Sequence, residues 1–96
     1  MKKSEFKNII DEGLKYNRSY MAVVIESEES KEPEIIINPK ENFTEKMRYY
    51  DHAYNDDMEL ISAKKAGKLI RIINISMMNY LVELVWLEVK RTDLSN

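Results

Sequence analysis

Glu34-Ile35-Ile36-Ile37-Asn38-Pro39-Lys40-Glu41-Asn42-Phe43 changes character half-way along. Three consecutive isoleucines read as a short β-strand, Glu34 to Ile37, because β-branched side chains suit a pleated, partly covered surface. Asn38-Pro39-Lys40-Glu41 then reads as a helix start. Asn38 stands at the cap, proline takes the first helical position where its missing N–H costs nothing, and Glu41 falls where it can reach back to the cap amide. Phe43, Met47, Tyr50 and Tyr54 follow at i, i+4, i+7 and i+11, a single helical stripe. Asn55-Asp56-Asp57 should stop that helix, since these side chains compete for backbone hydrogen bonds.

Upstream, Tyr20-Met21-Ala22-Val23-Val24-Ile25 is a second β-rich run. It is joined to the isoleucine strand by the polar, acidic stretch Ser27 to Glu32, so an antiparallel hairpin is expected. Before it, Ser4 is the expected N-cap of a first helix whose apolar face carries Phe6, Ile9, Ile10, Gly13 and Leu14 and which fades at Tyr16-Asn17-Arg18. Downstream, Met58–Ala63 and Lys68–Ser76 read as two strands about a turn at Lys65-Ala66-Gly67. Met77–Arg91 reads as a closing helix whose apolar arc is wider than one sheet face can cover. The resulting expectation is a single α+β domain over 1–96 with the order α-β-β-α-β-β-α, a four-stranded, mainly antiparallel sheet and helices on one face.

Composition narrows the function classes. The 96 residues carry 44% hydrophobic and 33% charged side chains, a net charge of −2 and no cysteine. That is one small core, with no disulfide, no thiolate nucleophile and no cysteine-type zinc site. The basic start at Met1-Lys2-Lys3 has no apolar run behind it, so no secretory leader is expected. Leu69 to Val89 is the most apolar stretch, but it holds Arg71, Glu83 and Glu88. Each charge costs roughly 2.5–3.5 kcal/mol at mid-bilayer, so no membrane span is expected and the reading is cytoplasmic.

No constellation for catalysis emerges. His52 is the single histidine, and its neighbour Asp51 points to a different part of the helix surface. One histidine is too little for a standard metal site or triad, so no catalytic residue, metal or cofactor is assigned. Acidic side chains gather twice, in the run Glu26, Glu28, Glu29, Glu32, Glu34 and around Asp56 and Asp57. Carboxylates at a helix C-terminus oppose its dipole; a solvated terminus is the simpler reading, and compensating cations from a partner or from this chain are the alternative. Tyr49 and Trp86 fall off the buried stripes, and such residues are enriched at interfaces. Glu28, Glu29, Glu32, Tyr49, Asp56, Asp57 and Trp86 are therefore the candidate partner-binding residues. The Met77–Val89 helix is a candidate homodimer contact. The alternative site is basic. Lys64, Lys65, Lys68 and Arg71 concentrate positive charge that suits phosphates, although no aromatic lies among them to stack a base.

The stretch Pro33 to Phe43, continuing through Lys46, Tyr49-Tyr50, Tyr54 and Asp56-Asp57, resembles a segment of small uncharacterised proteins of phages and mobile elements in low-GC Gram-positive bacteria. The resemblance implies accessory proteins that interfere with host machinery, anti-CRISPR-like inhibitors of a defence nuclease among them. Together these features lead us to expect a non-enzymatic protein that binds a host protein, such as a defence nucleoprotein. A nucleic-acid or nucleotide binder using Lys64 to Arg71 is the alternative.

Overall fold

A computed structural model describes residues 1–79. The order is α1 (Lys3–Lys15), β1 (Tyr20–Ser27), β2 (Glu34–Pro39), a 3-10 turn (Lys40–Asn42), α2 (Phe43–Ala53), the short α3 (Ile61–Lys65) and β3 (Ile70–Met78). The α+β class stands, with three strands rather than four among the described residues. They form an antiparallel sheet of order β2-β1-β3.

β1 is central, which is why its apolar run needs no alternation. Met21, Val23 and Ile25 point to one face, where they are buried with Phe6 and Ile10 of α1, Phe43 and Tyr50 of α2, Tyr54, Met58, and Ile72 and Ile75 of β3. Ala22 and Met78 are buried on the other face beside Tyr20 and Ile35. Fully burying one such aliphatic or aromatic side chain contributes about 1.5–3 kcal/mol, several times what an exposed ion pair supplies, so this cluster sets the fold.

Three local readings need correction. Ser4 lies inside α1 and Lys2 stands at the cap position. The orphan Lys3 amide instead donates to the Asp56 carbonyl at 2.8 Å, a tertiary cap. Asn38 does not cap α2. β2 continues through Pro39, opposite Tyr20, so Asn38 faces Met21, is only 5% exposed, and its Nδ2 has no hydrogen-bond partner among the described residues. The helix begins later, at Phe43, behind the 3-10 turn.

The third correction removes a strand. In the segment read as Met58–Ala63, only Glu59 and Leu60 make bridges, to Arg71 and Tyr54. Met58 adopts φ 57°, and the Asn55 carboxamide holds that bend by accepting from the Asp57 and Glu59 amides at 3.0 and 2.9 Å. Ala63-Lys64-Lys65 are good helix formers and close one turn. Gly67, with φ 77°, stops this helix instead of turning a hairpin. Its amide bonds the Lys64 carbonyl and the Lys68 amide bonds that of Ala63, a Schellman ending. Asn17 ends α1 in the same way, φ 55°, where the fade was expected.

β3 also departs from simple alternation. Val24 pairs with Asn74 and Ile25 with Ile72, so Ile73 is an extra, bulged residue. The bulge lets Ile72 and Ile75 both face the core and turns Ile73 outward. Met77 and Met78, read as the start of a closing helix, finish β3. Tyr80 to Arg91, with Trp86, lies outside the described residues, as does most of the proposed homodimer contact. Among the described residues no helix is long and apolar enough to cross a membrane.

α1 comes unusually close to β3. A Cβ on Gly13 would lie 2.5 Å from Cγ and 2.7 Å from Cβ of Met77. In an open helix Gly→Ala gains up to about 1 kcal/mol. Here Gly13→Ala should instead destabilise by about 1–3 kcal/mol in denaturant unfolding, the usual range for overpacking. In a Met77→Ala background the same substitution should become neutral or stabilising. Additive effects in that double-mutant cycle would disprove the close approach.

Candidate functional site

The acidic end of α2 is compensated from within the chain. Asp51 sits in the last turn, against the unfavourable end of the helix dipole. Its carboxylate pairs with Lys7 Nζ at 2.9 Å, and Lys3 Nζ lies 3.8 Å away. Lys3 also donates to the Asp51 and Tyr54 carbonyls at 2.8 and 2.5 Å, with its side chain only 17% exposed. Asp57 pairs with Lys2, and Glu59 with Lys64 at 2.8 Å. Their partner cations, by hydrogen bonding and charge, hold the Asp51, Asp57 and Glu59 carboxyls below the usual carboxylate range. Carboxyls depressed in the folded state stabilise it above their unfolded values and lose that contribution as pH falls through the folded ones. Asp51→Asn should therefore lower stability at neutral pH. The difference from the parent should shrink toward zero as the medium is acidified below about pH 4, where unfolded aspartates protonate. A pH series of denaturation midpoints tests this.

The same pairing dismantles the basic hairpin as a free patch. Lys64 holds Glu59, Lys68 holds Glu29 at 3.0 Å, and Arg71 holds Glu26 through Nε and Nη2 at 3.2 and 3.0 Å. Lys65 is exposed and has no ion pair with a described residue. The antiparallel register, which sets Glu26 opposite Arg71, brings the first acidic run against the basic residues. Glu29, one of the expected partner contacts, is thus engaged internally, as is Asp57.

Glu28, Glu32 and Asp56 are exposed and form no ion pair among the described residues. Glu34 is exposed as well and opens β2 opposite Ile25, on the face that the helices cover. From there its charge reaches Tyr50 of α2 and Tyr54 just beyond it. Tyr50 and Tyr54 are pushed up to about 12, first by burial, then by the neighbouring phenols and the Glu34 carboxylate. Tyr49 packs edge-on against Tyr50 at 5.3 Å and Tyr54 at 6.3 Å, and stays 49% exposed. The Lys46 ammonium lies 5.9 Å from the Tyr49 ring centre, a cation–π distance. Tyr49 is thus an exposed phenol over a rigid aromatic cluster. Glu34 belonged to the acidic run in the sequence, and nothing local linked it to Tyr50 and Tyr54; strand register and helix packing bring its charge to bear on them.

His52 is exposed on α2 and hydrogen-bonds no described residue, while the adjacent Asp51 carboxylate is held by lysines. No group of three or more potential metal ligands gathers among the described residues. Trp86 lies outside them. No known protein family, curated protein or solved structure matches this chain.

The Glu34–tyrosine proximity is testable by alkaline spectrophotometric titration. Glu34→Gln should lower the ionisation of the two late phenols only slightly, because burial, the larger cause, still holds them above the ordinary tyrosine value near 10. Unchanged late ionisation would place Glu34 away from them.

Proposed function

We propose that this chain is a binding protein with no catalytic role, which captures a cationic surface of a protein partner through the exposed Tyr49 and the exposed carboxylates Glu28, Glu32 and Glu34. The supporting observation is the distribution of charge. Lys64, Lys68 and Arg71 of the α3–β3 region are matched to carboxylates of this chain, whereas Glu28, Glu32 and Glu34 are exposed and form no ion pair among the described residues, and Tyr49 is an exposed aromatic. Such groups combine ion pairing, which steers encounter, with an aromatic anchor, which supplies most of the affinity. The mobile-element setting suggested by the resemblance makes the nucleic-acid-binding surface of a host defence nucleoprotein the partner class, with inhibition by occlusion as the outcome. The alternative, nucleic-acid binding by Lys64, Lys65, Lys68 and Arg71, gains no support from side chains that are mostly paired at home.

The experiment compares the parent with Glu32→Lys/Glu34→Lys and with Tyr49→Ala, each checked for folding. Binding to the partner recovered from host lysate should weaken by about tenfold or more in each variant, the loss of one interface anchor, and should fall with added salt. Undiminished capture by both folded variants would overturn the proposal. So would a mobility shift of DNA or RNA that Lys65→Glu/Lys68→Glu abolishes while these acidic variants retain it.

A further inference from the structure

A cleft of about 340 Å³ lies between α1 and α2, apart from the surface just described. Volumes of this order hold small organic ligands. Its apolar lining is Phe6 and Ile10 from α1 with Met47 and Tyr50 from α2. Phe6 and Tyr50 pack edge-to-face at 5.5 Å and 71°, and with Ile10 they are only 2–3% exposed, so they close the floor of the cleft, while Met47 is its accessible apolar side chain.

The polar groups around the cleft differ in availability. Lys3 is spent on the Asp51 and Tyr54 carbonyls, and Lys7 is paired with Asp51. Arg48 is exposed, lines the same cleft, and has no ion pair with a described residue. Thr44 lines the cleft one helical turn before it, so the two share a face of α2. A guanidinium offers paired donors in a planar fork that matches a carboxylate, and a threonine hydroxyl adds a further donor. Counting Lys3, Lys7 and Arg48 against Asp11 and Asp51, the lining carries a net positive charge.

From this we infer that the α1–α2 cleft binds a small amphipathic carboxylate, with its apolar body on Phe6, Ile10, Met47 and Tyr50 and its carboxylate on Arg48 and Thr44. Charge complementarity selects an anion, and the apolar lining selects one with a hydrocarbon or aryl body. Arg48, without an ion pair among the described residues, sets the end at which the charged head sits. A ligand seated there would bridge α1 and α2, and would stabilise the packed pair by binding the folded state alone.

The test is a titration of the full chain with decanoate, decanol and decylammonium, followed by amide chemical shifts and by melting temperature. Decanoate should give saturable shifts at Phe6, Ile10, Thr44 and Arg48 at sub-millimolar to millimolar concentration and raise the melting temperature. Decanol should bind about tenfold more weakly, and decylammonium more weakly still, as expected from loss of a charge-assisted contact. Arg48→Gln, at an exposed position that should leave folding intact, should weaken decanoate binding by about tenfold and leave decanol unchanged. The proposal is overturned if decanoate gives no saturable shifts at these residues. Equal binding of decanoate and decylammonium, or an Arg48→Gln variant that binds decanoate like the parent, overturns it too.

Discussion

Burial of Met21, Val23 and Ile25 beneath α1 and α2 is the constraint to which the rest of the molecule conforms. β1 carries apolar side chains toward both faces, and only the central position of a sheet lets it lose water on each. Placing β1 there requires a neighbour on either side. β2 comes from the adjoining hairpin, and β3 comes from much later in the chain. Once both are in place, the helices have one apolar surface to cover. Their order of packing is then set by the close passage of α1 over β3 at Gly13 and by the ring contacts joining Phe6 to Tyr50.

Charge follows from this packing rather than directing it. Exposed ion pairs contribute at most about 1 kcal/mol each, too little to choose a topology. Their effect here is to determine which charges are left over. The ammonium groups of Lys3 and Lys7 reach the end of α2 because α1 begins beside it. Glu26 and Arg71 meet because β1 and β3 are antiparallel in one register. Among the described residues these pairings leave Glu28, Glu32, Glu34 and Arg48 exposed and without an ion pair. A surface defined by such a remainder suits binding, since its groups are solvated, separately positioned and accessible.

The two long helices, the apolar stripe of Phe43, Tyr50 and Tyr54, the β1–β2 hairpin and the end of α1 at Tyr16-Asn17-Arg18 were all legible in the sequence. Each depends on spacing within one segment. Gly67 was legible as a breaker but not as to what it breaks, since φ > 0 serves a helix stop and a hairpin turn equally well. The fourth strand failed for that reason. The basic and acidic patches were legible as composition only. Their mutual cancellation joins residues such as Glu26 and Arg71, far apart in the chain, and no local pattern records it.

Sequence alone determined the periodicities, and through them the class: apolar stripes at helical spacing and β-branched runs leave an α+β domain as the economical way to exclude water. It also determined the inventory of chemistry, one histidine and no cysteine. Tertiary structure decided the bulge at Ile73, the internal burial of Asn38, the tertiary capping of α1 by Asp56, and the ring contacts of Tyr49 with Tyr50 and Tyr54. Each of these depends on strand register or helix docking. Those are settled by the joint packing of segments distant in the chain, where a shift of a single residue exchanges buried for exposed faces.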